Sequence, residues 1–184
     1  MIRIFLLISL PFFFACSSSK QSIDENRGDC DQFLIPPNQL IKYRTRIFYK
    51  DKNITGLVFL KRTAEEGKAS MINESGLRIF DMAYVEGAMQ SKYMMSVLDK
   101  KAIVNTLKYD FAFFFLSPLN YAAKNRNRLR WEFDQSCRIR RIRASGSTIK
   151  AMELTVSNYR DDVPDDLNLW HKNMDLRISF KRLE

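Results

Sequence analysis

Polar and apolar side chains alternate between residues 42 and 50. Tyr43, Thr45, Ile47 and Tyr49 fall on one face, and Lys42, Arg44, Arg46 and Lys50 on the other. A period of two predicts a β-strand with one face buried. Asp51-Lys52-Asn53 reads as a turn. Residues 54–62 predict a second strand that is apolar on both faces, Leu57 and Phe59 against Val58 and Leu60; such a strand needs cover on both sides. A turn at 64–68 leads to a third strand at 68–73. Glu74-Ser75-Gly76 turns the chain into a fourth at 77–86, with Leu77, Ile79, Ala83 and Val85 against Phe80, Met82 and Tyr84. Short turns between successive strands mean an antiparallel meander, because parallel pairing needs long crossovers.

The period then changes. Val97, Leu98, Ile103, Val104, Leu107, Phe111, Phe114 and Phe115 recur at helical spacing, with Asp99, Lys100, Lys101 and Lys108 opposite. The spacing predicts an amphipathic helix from Ser96 to Leu116 lying across one face of the sheet. Ser96 with Asp99 three residues on is the expected start cap, and Pro118 the stop. After a polar, basic stretch at 124–130, residues 129–143 read as one or two strands. Trp131, Phe133 and Cys137 come first, and then Ile139 and Ile142 alternate with Arg138, Arg140, Arg141 and Arg143. A strand at 148–158 follows, then an acidic turn over 161–166 holding Pro164. Residues 167–170 and 174–183 close the chain as a hairpin around His171-Lys172-Asn173. The expectation is mainly β with α: eight or nine antiparallel strands, one main helix, and a single domain over residues 33–184, entered through Pro36-Pro37.

Residues 1–15 are of a different kind. Arg3 precedes an apolar run from Ile4 to Ala15, the layout of a secretory signal peptide. Twelve residues of helix at ~1.5 Å each fall short of the ~30 Å core of a bilayer. Phe13-Phe14-Ala15-Cys16 resembles the lipobox of bacterial lipoproteins, with Phe13 where Leu is most usual. The resemblance implies lipidation of Cys16 after cleavage before it. Residues 16–32 are polar and read as a flexible tether. No acidic run follows Cys16, which favours a periplasm-facing protein on the bacterial outer membrane.

The net charge of +9 fits an anionic membrane surface as partner, or charge spread over solvated strand faces. The arginines at 138, 140, 141 and 143 could meet lipid phosphates or form the wet side of a strand. Nucleic acid is a poor partner for an exported chain. In a disulfide-permitting compartment, Cys30 and Cys137 are either bridged or two free thiols. The chemistry of an enzyme is missing: no GxSxG, no HExxH, no phosphate-cradling glycine loop. The one histidine, His171, falls in a predicted turn and reads as solvated. Asp161, Asp162, Asp165 and Asp166 match no EF-hand spacing and read as a solvated turn. No catalytic residue, metal site or cofactor is expected.

The order of elements resembles the LolA/LolB superfamily. The segments that carry it are Gly76-Leu77-Arg78-Ile79-Phe80-Asp81-Met82, Lys100-Lys101-Ala102-Ile103, Asp110-Phe111-Ala112-Phe113-Phe114 and Pro164-Asp165-Asp166-Leu167-Asn168-Leu169, which look like LolB-like outer-membrane lipoproteins. The resemblance implies a half-barrel, a curved antiparallel sheet covered by one or more helices around a hydrophobic cavity. Its ligands would be the acyl chains of a lipoprotein or lipid, moved toward the outer membrane. Tyr43, Ile47, Leu57, Phe59, Met71, Ile79, Met82, Trp131 and Phe133 are the expected lining, chosen by alternation and strand position. None of the predicted turns offers the exposed Leu of the protruding loop that LolB-type receptors press into the membrane. The alternatives are a dry, solid core and a structural or scaffold lipoprotein with protein partners in the envelope.

Overall fold

Ten strands form one antiparallel sheet in a computed structural model that describes residues 30–64, 66–116, 129–144 and 151–184. The expected signal peptide, Cys16 and the expected tether as far as residue 29 lie outside the described residues. The strands are β1 (Leu40–Tyr49), β2 (Lys52–Arg62), β3 (Gly67–Ile72), β4 (Arg78–Val85) and β5 (Ala88–Met94), followed by α1 (Lys101–Ala112). After it come β6 (Leu129–Phe133), β7 (Ile139–Ala144), β8 (Met152–Arg160), β9 (Val163–His171) and β10 (Leu176–Arg182). The order across the sheet is β5-β4-β3-β2-β1-β10-β9-β8-β7-β6. Two five-strand meanders therefore meet where β1 pairs with β10, and the sheet edges are β5 and β6.

Aromatic contacts reveal the curl of the sheet. The end of α1 and the turn after it set Phe111 edge-to-face with Phe80 of β4 (4.9 Å between centroids), Phe114 with Phe180 of β10 (5.3 Å) and Phe113 with Trp131 of β6 (6.3 Å). In a flat sheet β4 and β6 would stand ~38 Å apart at ~4.8 Å per ladder step. Four consecutive residues, 111–114, reach both only because the sheet wraps around them. Irregularities in the β3–β4, β4–β5 and β6–β7 ladders are of the kind that bends strands and adds twist. At the first of them Ile79 and Phe80 are both buried.

Several boundaries differ from the sequence expectations. The first meander has a fifth strand, β5, whose exposed positions include Gln90 and Lys92; its apolar residues come in adjacent pairs, Ala88-Met89 and Tyr93-Met94, and leave a weak period-two signal. Its turn, Glu86-Gly87, has positive φ at both residues (52° and 78°), the backbone that a two-residue hairpin needs and that glycine adopts at no cost. The helix begins at Lys101, not Ser96. Lys100 holds the cap position without a side-chain cap bond, because residues 95–99 form turns pinned by the Met95 N–H donating to the Ile79 carbonyl (2.8 Å). Pro164 lies inside β9, not in a turn; the turn is Asp161-Asp162 alone.

The two ends of the curled sheet differ. At one end, residues 30–39 cross the hollow as a strap. Cys30 is disulfide-bonded to Cys137 in the β6–β7 turn. Leu34 and Ile35 are buried, and the Asn38 N–H donates to the Arg62 carbonyl at the end of β2 (2.7 Å). Cys30 to Gln32, expected in the tether, thus belong to the folded unit. At the other end stand the β1–β2, β3–β4 and β9–β10 turns, the tip end below.

Candidate functional site

The interior between sheet and helix is apolar among the described residues. Seven of the nine expected lining residues face it: Tyr43, Ile47, Met71, Ile79, Met82, Trp131 and Phe133, none more than 6% exposed. Leu57 and Phe59 do not. Their cross-strand partners are Arg44 and Lys42 on the outer face, whereas Tyr43 pairs with Val58. Both faces of β2 are apolar, so alternation within the strand could not choose between them, and the choice was one residue out of phase. Val58 and Leu60 are the inward pair. The turn after α1 completes the interior; Phe115 packs on Gly67 so closely that a Cβ there would press into the ring.

One polar pair is sealed within this interior. The Nε2 atom of His171 lies 2.8 and 2.9 Å from the two carboxylate oxygens of Asp110, and both residues are about 1% exposed. The expectation of a solvated turn histidine is therefore corrected: His171 is the last residue of β9. The signal was present, since Leu167, Leu169 and His171 share one face by alternation. Asp110 likewise falls on the buried stripe of α1 with Ile103, Thr106, Leu107 and Phe111. Burial pushes the Asp110 carboxyl above the usual carboxylate range, and the His171 hydrogen bond and charge oppose that shift. No described residue bonds to His171 Nδ1. Beside the pair, Thr106 Oγ1 donates to the Ala102 carbonyl (2.9 Å) and lies 3.4 Å from Met174 Sδ. The pair joins α1 to β9 through the interior.

The strap end joins distant strands. The Tyr43 hydroxyl donates to the Pro164 carbonyl (2.9 Å), and Tyr159 donates to the Ile139 carbonyl; burial raises both phenols. Arg62 lies over the Phe33 ring at 3.3 Å. The acidic turn is occupied by cations of the chain itself. Asp162 pairs with Arg138 (3.0 Å) and Asp165 with Arg160 (3.1 Å), while Asn158 donates to Asp166 (2.7 Å). Of the arginine row, Arg141 bridges Glu132 (3.3 Å) and Glu153 (3.2 Å), and Arg143 also binds Glu132. Among the described residues no group of three or more His, Cys, Asp or Glu is placed to hold a metal ion.

The outer face carries two open clefts. One, of about 300 Å³, lies over the β1–β10 ladder, where Arg44, Arg46 and Lys181 face Glu74 and Asp166. The other, of about 260 Å³, lies among Arg130, Arg143, Glu153 and Lys172. Charged side chains rim both, and Ala144, Ala151 and Met152 give the second a mainly apolar floor.

Compared with known proteins, the chain matches no family model and no curated protein.

Proposed function

We propose that the chain is a lipid-anchored envelope protein of the LolA/LolB type, held through Cys16 at the bacterial outer membrane. It takes acyl chains of a lipoprotein or lipid into the hollow of its curled sheet, without covalent chemistry. The observation that carries this reading is the make-up of the interior. All seven methionines after Met1 are buried in it or packed against it, beside the phenylalanines of the α1 end. Methionine is unbranched and polarisable and refits readily around a new shape. An interior built from it can open for an acyl chain and close again. Transfer then follows differential affinity: acyl chains leave water for the hollow, and the hollow for a better site. Leu77, 60% exposed in the β3–β4 turn, supports the same reading. It is the exposed turn Leu that the sequence did not single out, and it matches in kind the apolar loop of LolB-type receptors.

A second reading, a scaffold lipoprotein that uses the fold without a ligand, is favoured by the close contact of Phe115 with Gly67, which fills that part of the interior. Native mass spectrometry separates the two. The protein is purified from membranes, exchanged out of detergent and mixed with a triacylated lipopeptide. Adducts of lipid mass are the expected outcome. A bare mass before and after mixing, with the fold intact by circular dichroism, overturns acyl binding and leaves the scaffold.

A further inference from the structure

Five large hydrophobic side chains stand well exposed among the described residues, and four of them sit at the tip end: Leu77, Phe48 (40%), Tyr93 (42%) and Trp170 (40%). Each of the three aromatic rings has a cation over it. Arg46 lies 5.8 Å from the Phe48 ring, Arg78 5.7 Å from Tyr93, and Lys172 and Arg177 5.0 and 5.2 Å from Trp170. Phe48 is paired with Arg177 across β1 and β10, and Arg177 with Trp170 across β10 and β9. The three form one continuous row on the outer face. Lys50 follows in the adjoining turn. Of the carboxylates nearby, Asp51 is engaged by Lys52, Asp81 by Arg78 and Glu153 by Arg141, while Glu74 shares a cleft with Arg46 without an ion-pair contact. Arg46, Lys50, Lys172 and Arg177 are in no ion pair with a described residue.

We infer that the Phe48–Arg177–Trp170 row is a docking surface for a bilayer rich in anionic phospholipid. Aromatic rings settle at the headgroup level, where an apolar body and a polar rim are both satisfied. The unpaired cations meet lipid phosphates, with a gain of roughly fivefold in binding for each. The shape fits a fluid surface. The apolar tips project singly from β1, β5, β9 and the β3–β4 turn and form no groove for a rigid partner. The tether permits it too. Cys16 and Cys30 are 14 positions apart, a reach of at most about 50 Å. The strap end and tip end are separated by about 33 Å, the length of the ten-residue β1. A lipid on Cys16 and the tip end can therefore meet the same membrane. The inference stands without the acyl-binding reading, since none of these side chains belongs to the interior.

The test uses the full chain in vesicles of brominated phosphatidylglycerol or brominated phosphatidylcholine, with Trp170 emission as the readout. The chain has two tryptophans; Trp131 is buried, and W170F gives its background. Quenching of Trp170 in anionic vesicles, absent in neutral ones and lost in R46E/R177E, is the expected result. K172E is the second variant should the double one not fold. Equal quenching in both lipids, or quenching retained in the charge-reversed variants, overturns the inference by assigning the contact to the anchor alone. No quenching in either lipid overturns it in favour of a protein partner. Lipopeptide adducts read the interior independently, so failure of either proposal is seen separately.

Discussion

The two ends of the curled sheet are made of the same strands and yet differ in almost every other respect. At the strap end apolar side chains are inside, Leu40 excepted, polar groups are paired with partners far away in sequence, and a covalent bond joins residues 107 positions apart. At the tip end apolar side chains project outward and Arg46, Lys50, Lys172 and Arg177 are in no ion pair with a described residue, while the lock is internal, between Asp110 and His171. The comparison teaches that one end is organised for closure and the other for contact. A protein that took up cargo or met a surface would do so at the end whose outer side chains gain from leaving water.

The largest expected effect is at the strap. Replacing both Cys30 and Cys137 by Ser frees a loop of 107 residues, which the chain-entropy model values at about 4–5 kcal/mol. Urea unfolding of the variant should show that loss, while Trp170 emission in vesicles stays as in the parent. A loss under about 1 kcal/mol would mean that burial of Leu34 and Ile35 closes this end unaided, and the contrast between the ends would rest on packing alone.

Next comes the internal lock. Asp110→Ala leaves His171 buried without its partner and should cost about 3 kcal/mol or more; Asp110→Asn, which keeps a hydrogen bond, should cost less. The pH dependence has a definite sign. The folded state holds the Asp110 proton to higher pH than the unfolded chain does, because burial raises its carboxyl. The unfolded state therefore binds fewer protons once pH passes the ordinary carboxylate range. This group's contribution is full below that range and falls as pH rises toward the titration of folded Asp110. Asp110→Asn should flatten that part of the urea-midpoint profile, and an unchanged slope would assign it to other groups. A smaller effect, about 1 kcal/mol, is expected for Tyr43→Phe at the strap end, where only the hydrogen bond to Pro164 is lost.

How much of this was legible beforehand depends on whether a residue's environment is written in its own strand. Alternation in β1 marks Tyr43 and Ile47 as inward from local sequence alone. In β2 it could not, because Leu57 and Phe59 are as apolar as Val58 and Leu60; the face is chosen by pairing with β1, a tertiary fact. His171 was misread through its neighbours. Lys172-Asn173 do form a turn, and the turn was extended one residue too far, although Leu167 and Leu169 were in phase with the histidine. Leu77 was taken as a strand residue facing a core, and its exposure follows from β4 starting one residue later. The cations at the tip end are visible as a charge, but their convergence on Phe48 and Trp170 needs the pairing of β1 with the β9–β10 hairpin at the far end of the chain.

The smallest expected effect decides the comparison most directly, because it sets the same chemistry at both ends. Leu34 is 1% exposed and Leu77 60%. Leu34→Ala removes methyl groups from a filled space and should cost about 2–5 kcal/mol. Leu77 already spends most of its surface in water, so Leu77→Ala forfeits little transfer free energy and leaves no cavity; it should stay within about 0.5 kcal/mol. Urea unfolding of the two variants in vesicle-free solution gives the difference. A Leu77→Ala cost that approached the Leu34→Ala cost would mean that Leu77 is covered in solution, by a second copy or by the chain itself. The tip end would then be a buried interface, and its exposed row of rings and cations would no longer be free to meet a membrane.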